Sequence, residues 1–493
     1  MTLYPSGLFR QCGASFLIGI ILSRYFSSFP GIKIFIYFFL FTLLLLFCLF
    51  SSTFASPFGS ELRTELLSVN STRKKFFVLA LILLSLSLGG YRYFSVLTQL
   101  NKTAIVEEET IEIRAPIITE PILMENYQRI IIPKIVIYTE RHPRYDYGDI
   151  INIKGKVEPL SDFRSYNSII VSGKMSYPSI ELFSPSKFSF RKTSLFIKNK
   201  ITTSLQKIIP EPQSSLLISL IFGGKNNLTS VLEEQIRKCG LSHIIVASGL
   251  HLSIITKALS GFLDILYMSN ALNFVFSFLF LFSFAFMAGL TPSIVRAAIM
   301  AFLLLLSRVS FRLYNSFNAL LLAAVIMVWL NPLILFWDLG FQFSFLATAG
   351  IIFLYPLWLE SSFWQQDWFN QKGRIIRATV LSSSSALMFV TPWLIFKTQA
   401  FSLVSPITNL LILPLIPLIM IGGIIVAVFS LLFYPFGLFL GFLLNLLLVY
   451  FLKIVSLFSS LSWSQIYIPS VLHWLIVPYY IFLFLYIRRK NKT

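Results

Sequence analysis

The chain has 493 residues, of which 56% are hydrophobic and only 12% are charged. Soluble globular proteins carry about 25% charged residues, so this composition excludes an ordinary soluble enzyme. The 40 Lys and Arg residues outnumber the 21 Asp and Glu residues, which gives a formal net charge of +19. Such an excess of cations makes a polyanion, or an anionic membrane surface, the first partner to consider.

Apolar segments of membrane-spanning length recur along the chain and predict a polytopic α-helical membrane protein. A helix needs about 20 apolar residues to cross a hydrocarbon core. The first segment is followed by further apolar segments and not by a small-residue cleavage site, so we interpret it as a retained helix. We predict about 12 transmembrane helices, near residues 11–26, 31–50, 76–98, 242–261, 268–289, 292–307, 317–336, 341–359, 379–397, 406–430, 434–459 and 471–488.

Composition divides the chain into three regions, 1–98, 99–210 and 211–493. The first is predicted to be a three-helix membrane region. The middle region holds 12 of the 21 acidic residues and lacks any apolar segment of spanning length. Its short β-branched segments are separated by Pro, Asn, Asp and Gly, which predicts a small antiparallel barrel or sandwich ending in an amphipathic helix over 190–209. Such a domain could serve folding and assembly or contact a ligand directly.

Lys and Arg collect in four places, at residues 63–75, 308–312, 372–377 and in the carboxyl-terminal RRKNK. Cytoplasmic loops are enriched in these residues. We therefore expect both termini in the cytoplasm and residues 99–210 outside, after the third helix. This count requires that 213–222, about half the length of a span, is re-entrant or lies flat.

The segment GLSHIIVASGLHLSIITK, residues 240–257, places polar groups where lipid is expected. On one continuous helix, His243, Ser248 and His251 fall within an arc of about 140°. They could line a polar path, because polar residues at membrane depth commonly face a cavity. Alternatively, they could hydrogen-bond neighbouring helices as a packing face.

Further polar residues occur in two later apolar segments. Arg296 follows a Gly-Leu-Thr-Pro-Ser turn expected at the outer face, where it could extend to the interface or offer its guanidinium to phosphates. Asp338 and Gln342 flank Gly340 at a break between helices, and we expect Asp338 to neutralise a cation such as Arg296. Asn409 follows Ser405-Pro406 in another polar interruption.

The sequence offers little sign of catalysis or of a cofactor. It contains no GxxxxGKS or GxxxxGKT phosphate loop, so the chain is not expected to consume ATP itself. Its four His residues form no close cluster with Asp that resembles a metal hydrolase centre, and the three Cys residues indicate neither a disulfide framework nor a thiolate metal site. We expect a protein that is not an enzyme and binds no metal or other cofactor.

Several motifs, in this order along the chain, resemble the competence-domain membrane proteins typified by ComEC. The motifs are YGDIINIKGKVEP at 147–159, LIFGG at 220–224, GLSHIIVASGLHLSII at 240–255, AGLTPSIVRAAIMAF at 288–302, DLGFQFSFLATAGI at 338–351 and SPITNLLILPLIP at 405–417. The resemblance covers most of the chain. It implies a bacterial channel in the cytoplasmic (inner) membrane that passes single-stranded transforming DNA during natural competence, with an OB-like outer domain.

Candidate site residues follow from these motifs. For the translocation path they are His243, Ser248, Gly249, His251, Arg296, Asp338, Gln342, Ser344 and Asn409. For DNA contact on the outer domain they are Arg141, Arg144, Tyr145 and Tyr147. An OB-like domain suits single strands because a basic groove follows the backbone and aromatic rings stack on bases.

The resemblance also implies partners and leaves alternatives open. Single-stranded DNA, membrane lipid, a DNA receptor and a cytoplasmic helicase or single-strand-binding protein are expected. Many family members continue into a β-lactamase-like domain, whereas this chain stops at RRKNKT, so we expect any nuclease to be a separate protein. A secondary transporter of a smaller anion or lipid-linked substrate, or a non-transporting scaffold of an uptake complex, would show similar composition. Oligomeric state, strand polarity and energy source stay open.

Overall fold

The computed structural model describes residues 5–25, 63–101, 110–124, 126–166, 169–185, 189–224, 228–246, 248–361, 363–366, 373–469 and 474–490. The predicted span at 31–50 lies outside these residues. The chain divides into two compact units, one formed by Met1–Val106 with Asn315–Trp337 and the other by Glu107–Tyr314 with Asp338–Thr493. The second unit contains the β-rich region and most of the predicted site residues.

The described part of the chain is mostly helical. Its helices are α1 Pro5–Tyr25, α2 Arg63–Asn101, α3 Phe190–Ile208, α4 Gln213–Phe222, α5 Ser230–Lys238, α6 Ser242–Ile245, α7 Gly249–Ile265, α8 Asn270–Met287, α9 Pro292–Val309, α10 Ser316–Leu330, α11 Ile334–Trp337, α12 Leu339–Leu359, α13 Arg374–Thr398, α14 Ser405–Ile412, α15 Ile416–Leu432, α16 Tyr434–Ser459 and α17 Ile476–Lys490. A 3₁₀ turn, Leu413–Leu415, joins α14 to α15.

Seven segments among the described residues are long and apolar enough to cross a membrane. They are Leu81–Thr98 within α2, helices α8, α9 and α12, Ile376–Thr398 within α13, the segment Ser405–Leu432 and helix α16. Two other apolar helices, α4 and α10, are shorter. The architecture is that of a polytopic helical protein, and length and composition support seven spans among the described residues.

The first unit pairs α1 with α2 by close backbone approach. A methyl group on Gly19 would collide with the carbonyl oxygen of Leu86, and one on Gly89 would collide with that of Phe16. Small residues at a helix crossing allow the two backbones to touch, which is a common device for packing helices within membranes. The two glycines therefore fix where these helices cross.

The β-rich region contains eight strands in two sheets. They are β1 Thr110–Pro116, β2 Ile122–Leu123, β3 Tyr127–Ile132, β4 Ile135–Glu140, β5 Ile150–Lys156, β6 Glu158–Tyr166, β7 Ile169–Ser176 and β8 Ser179–Ser184. One sheet has the order β1-β5-β8 and the other β2-β3-β4-β7-β6. The prediction of antiparallel strands is correct for every pair in these two sheets except β4 and β7, which run parallel.

The interior of the β-rich region follows from alternation along its strands. Ile130, Ile132, Ile137, Ile151 and Ile153 are each almost fully buried. Since successive side chains of a strand point to opposite faces, every second residue can be buried while its neighbours face solvent. The β-branched segments in the sequence therefore form this core.

Helix α4 lies at the centre of the second unit. It has 10 residues, as short as the sequence predicts, and Ser214 through Phe222 are all buried. Its side chains belong to an apolar cluster that also includes residues of α7, α8, α15 and α16. Gly423 of α15 packs against Leu217 and Ile221, where a Cβ atom would lie 2.8 Å from each side chain. Protein therefore surrounds α4.

Candidate functional site: polar groups among apolar helices

The helix predicted across residues 240–257 is interrupted in the structure. Helix α6 ends at Ile245 and α7 begins at Gly249, so the prediction of one continuous helix is wrong at this point. The break has a local cause, because Ser248 and His251 form a capping box at the start of α7. The backbone N–H of Ser248 donates to His251 Nδ1 at 3.0 Å, and Ser248 Oγ lies 2.8 Å from the same nitrogen.

This capping box uses an imidazole where Glu or Gln is usual. Because Nδ1 accepts the backbone N–H, the neutral ring carries its hydrogen on Nε2. His251 is fully buried, and Nε2 has no hydrogen-bond partner among the described residues. The Ser-Gly-Leu-His motif thus forms the N-cap and the first turn of α7.

Arg296 of α9 lies next to this helix start. A Cβ atom on Gly249 would be only 2.7 Å from Arg296 Nη2, so a glycine permits the close approach. The guanidinium is 8% exposed; its Nε donates to Ser344 Oγ at 2.8 Å and its Nη1 donates to Thr348 Oγ1. Both of these acceptors are uncharged hydroxyls on α12, and Nη1 also lies 3.8 Å from the uncharged Met300 Sδ of α9.

No carboxylate among the described residues forms an ion pair with Arg296. A buried cation is costly unless it is hydrogen-bonded or paired. Hydroxyl acceptors satisfy part of the guanidinium without neutralising it, and Nη2, which has no hydrogen-bond acceptor among the described residues, lies close to the first residue of α7. The site therefore presents a positive charge beside a helix N-terminus, a combination that attracts anions.

Asp338 has partners other than the expected Arg296. It is the N-cap of α12, where Oδ1 accepts the Phe341 backbone N–H at 2.9 Å, and Oδ2 accepts a hydrogen bond from Ser165 Oγ of β6. The expected pairing with Arg296 is therefore wrong. An N-cap carboxylate is drawn to the free N–H groups of its own helix, and here it also fastens the β-rich region to α12.

The other predicted path residues lie in separate polar contacts. Gln342 Oε1 accepts the Trp393 indole N–H at 2.8 Å, which links α12 to the end of α13. His243 is exposed, and its Nδ1 lies 3.1 Å from the Gly240 carbonyl oxygen. Asn409 is buried, with Nδ2 donating to Ser405 Oγ at 3.2 Å and Oδ1 unpartnered. Only Ser248, Gly249, His251, Arg296 and Ser344 form one continuous group by these contacts.

The four residues predicted on the outer domain differ in availability. Arg141 and Arg144 are exposed. Tyr145 is buried and its hydroxyl donates to the Ile180 carbonyl at 3.4 Å, and burial raises its pKa. The Arg191 guanidinium lies 4.3 Å from the centroid of Tyr147. The two arginines are therefore presented to solvent, while the two rings pack against the protein.

Two further features, Thr348 and a groove on the β-rich region, are not predicted from the sequence. Thr348, which holds Arg296, lies one helical turn after Ser344, and that i, i+4 spacing was the available signal. A groove of about 680 Å³ on the β-rich region is lined by Tyr127, Tyr138, Glu158, Pro159, Leu160, Arg164, Lys174, Ser176 and Tyr177. Nothing in the local sequence shows that these strands meet there. Among the described residues, no three His, Cys, Asp or Glu side chains are grouped to hold a metal.

Comparison with known proteins assigns the family. The family model described as Competence protein matches residues 220–493. The chain is similar to "ComE operon protein 3" of Bacillus subtilis (strain 168), with 26% identity over 245 residues, which is 50% of this chain and 30% of that protein. It is also similar to "Recombination protein 2" of Haemophilus influenzae, with 24% identity over 44% of this chain and 28% of that protein.

An "Uncharacterized protein" of Aquifex aeolicus is 28% identical over 43% of this chain and 47% of its own length. The chain thus spans less than half of each of these three relatives. No solved structure matches it. Since the matched region of the family model covers more than half of the 493 residues and contains the Arg296 group, the chain belongs to the competence protein family.

Proposed function

We propose that this protein is a channel that passes single-stranded transforming DNA across the cytoplasmic membrane. Membership of the competence family indicates a role in DNA uptake. The observation that carries the channel proposal is the Arg296 guanidinium, which is buried among apolar helices, held by hydroxyls and directed at the glycine that opens α7. A cation that is not neutralised by the protein suits an anionic cargo that passes.

In the proposed mechanism, the phosphates of the strand exchange part of their hydration for donors of the chain. Arg296 offers Nη2, and the first turn of α7 offers the positive end of its dipole. Seven acidic residues in 211–493 leave little negative charge to repel the strand. His243 of α6, Gln342 of α12 and Asn409 of α14 would add further polar surface to the path.

The outer domain is proposed to be OB-like, outside the membrane, with both termini in the cytoplasm. Strand pairing supports the OB-like assignment: Ile118 at the end of β1 donates its N–H to Ile131 of β3, β3 pairs with β4, and β4 runs parallel to β7. Strand β7 also pairs with β6. Strand β5 immediately precedes β6 in the sequence and pairs with β1. We propose that β5 and β6 act as one long strand, so that five long strands would follow one another in the closed order of a small barrel.

The total of about 12 spans and the cytoplasmic-membrane location are part of the same proposal. The same proposal includes several partner proteins. A DNA receptor would deliver the strand, and a cytoplasmic helicase or single-strand-binding protein would supply direction by holding it. A separate nuclease is proposed for the strand that does not enter. The chain itself is proposed to act without catalysis or a cofactor.

A deletion strain complemented with variants tests this proposal. Loss of transformation in the deletion strain would distinguish a DNA channel from a transporter of a smaller anion. Arg296→Ala should then reduce uptake of labelled DNA about ten-fold or more, since a charge-assisted contact with phosphate is lost. Arg308→Ala removes the same charge from an exposed position in the same helix and is the control. Normal uptake by the Arg296 variant, with the protein present in the membrane, would contradict the role given to this residue.

A further inference from the structure

From residue 198 onward, helix α3 has two faces of opposite character, whereas Phe196, on the same side as the later polar residues, is exposed and apolar. Leu205 is buried and, with Ile209 just beyond the helix, belongs to the apolar cluster shared with α7, α8, α15 and α16. On the opposite side, the last three turns expose only polar side chains. These are Asn199, Lys200, Thr203, Gln206 and Lys207.

The helix runs along the apolar helices and not across their ends. Near its beginning, the Phe190 ring contacts Phe282 and Phe286 in the last two turns of α8, with centroids 5.4 and 5.5 Å away. At its end, Ile208 fills the space above two glycines in the first turns of α16, where a Cβ on Gly437 would lie 3.3 Å from Ile208 Cδ1. With a rise of about 1.5 Å per residue, the 19 residues extend about 28 Å.

These two contacts lie at opposite ends of the helix bundle. A short turn joins the end of α8 to Pro292, the first residue of α9. Pro292 lies 3.9 Å from the Cβ position of Gly340 at the start of α12. Asp338, which contacts Ser165 of the β-rich region, precedes the same helix. Trp393 bonds to Gln342 at this same end, so α13 finishes there and the segment Ser405–Leu432 starts there. That segment finishes at the opposite end, where α16 begins. Helix α3 therefore starts near the β-rich region and descends beside membrane-spanning segments.

The polar row on α3 does not suit contact with lipid. A charged side chain facing hydrocarbon is strongly unfavourable, and polar residues at this depth normally face a water-filled cavity or a partner. Residues 190–208 contain five Lys or Arg residues and no Asp or Glu. Among the described residues, no carboxylate pairs with Lys200 or Lys207. A passing anion would complement this row.

We propose that the Asn199, Lys200, Thr203, Gln206 and Lys207 face of α3 is a water-exposed wall at membrane depth along which the phosphodiester backbone of a DNA strand moves. The inference rests on the proposed channel function and extends it to residues before the region matched by the competence family model.

Thiol accessibility tests the water-exposed wall in the full-length protein. Asn199→Cys, Thr203→Cys and Gln206→Cys are made in a version with Cys12, Cys48 and Cys239 replaced by Ser. A charged, water-soluble methanethiosulfonate should modify them about ten-fold faster than Phe442→Cys, because the reactive thiolate needs water. Phe442 is the matched control, since it is exposed and apolar and adjoins Gly441, the other glycine beneath Ile208. If the three α3 variants reacted as slowly as Phe442→Cys, the polar row would face lipid. If they formed spontaneous disulfides between protomers, the row would face a second copy of the chain. Either result would overturn the proposal.

Protection by DNA tests the occupant. A single-stranded oligonucleotide should slow the modification of Thr203→Cys, whereas a methylphosphonate oligonucleotide of the same sequence should not, because its backbone is uncharged. Adding Lys200→Gln and Lys207→Gln should abolish the protection. Rapid modification without protection would overturn the DNA-facing role. Normal transformation by a deletion strain would refute the proposed function, while rapid modification would still support a water-exposed wall.

Discussion

At the scale of single residues, the Ser-Gly-Leu-His motif caps helix α7 and also leaves space for the Arg296 guanidinium. Ser248 and His251 satisfy backbone donors at the start of α7, and Gly249 leaves room for Arg296 Nη2. The three residues therefore have different physical tasks, although they are adjacent in the sequence. Each task predicts a different response to substitution.

The close approach of Arg296 predicts that a larger residue at Gly249 would shift the guanidinium. Gly249→Ala should displace the guanidinium and reduce uptake of labelled DNA about ten-fold, because an added Cβ would lie 2.7 Å from Nη2 and the neighbour must move. Gly261→Ala is the matched control in the same helix, since no atom lies within 4 Å of its Cβ position. Loss of uptake in both variants would show that helix flexibility, and not space for Arg296, is what matters.

The capping role of His251 predicts tolerance of glutamine but not of alanine. His251→Gln keeps an acceptor for the Ser248 backbone N–H, whereas His251→Ala should lower the free energy of unfolding by about 1 kcal/mol. Thermal unfolding of the detergent-solubilised protein measures this difference, and Lys257→Ala, exposed in the same helix, is the control. If His251→Gln were as stable as the parent but inactive in uptake, the imidazole would have a further role in transport.

Residue types and spacing identified the Arg296 group only in part. Arg296, Gly249 and Ser344 follow from polar residues in apolar segments, and the structure brings them together. The partner of Asp338 could not be predicted, because Ser165 is 173 residues away and belongs to another region of the fold. Pairing by opposite charge favoured Arg296, but the nearby helix N-terminus competes for the carboxylate.

At the scale of elements, interruptions within helices and close crossings of two helices are the features that the sequence pattern predicts least well. Apolar residues continue through 240–257, so periodicity predicts one helix, and only the capping box explains the interruption. Helix α3 was recognised as amphipathic from its spacing. Its direction beside α8 and α16 depends on contacts that the local sequence does not reveal.

The crossing of α1 and α2 predicts a loss of stability when its glycines are enlarged. Gly19→Ala or Gly89→Ala should lower the free energy of unfolding by about 1–3 kcal/mol, because a backbone carbonyl cannot move aside as a flexible side chain can. Gly7→Ala in α1 has nothing within 4 Å of its Cβ position and should be neutral or slightly stabilising. Denaturation in detergent compares the three variants, and similar stability for all of them would contradict the close crossing.

At the scale of the whole molecule, composition correctly indicated a helical membrane protein with an inserted β-rich region. The family was also recognised from motifs spread along the chain, and the family match confirms it. The number of spans was less predictable, because apolar length alone does not separate crossing helices from buried helices such as α4. Twelve crossings stay a prediction, and seven described segments have the required length and composition.

The contact between Ser165 and Asp338 predicts how the β-rich region is held to α12. Ser165→Ala should increase hydrogen exchange of the β6 and β7 backbone, because a hydrogen bond to a charged group is lost. Ser179→Ala, exposed on β8 of the same region, is the control. Unchanged exchange in the Ser165 variant would mean that other contacts hold the two parts together.

The hydroxyl partners of Arg296 have a kinetic consequence. Ser344 and Thr348 keep two guanidinium nitrogens hydrogen-bonded whether or not an anion is present. In the proposed channel, a departing phosphate would leave only the N–H groups of Nη2 to be rehydrated, and no carboxylate of the described residues would have to be displaced when the next phosphate arrives. The barrier to exchange proposed for this site would be low in both directions, so that successive phosphates of a polymer would bind Arg296 in turn without any of them being held for long.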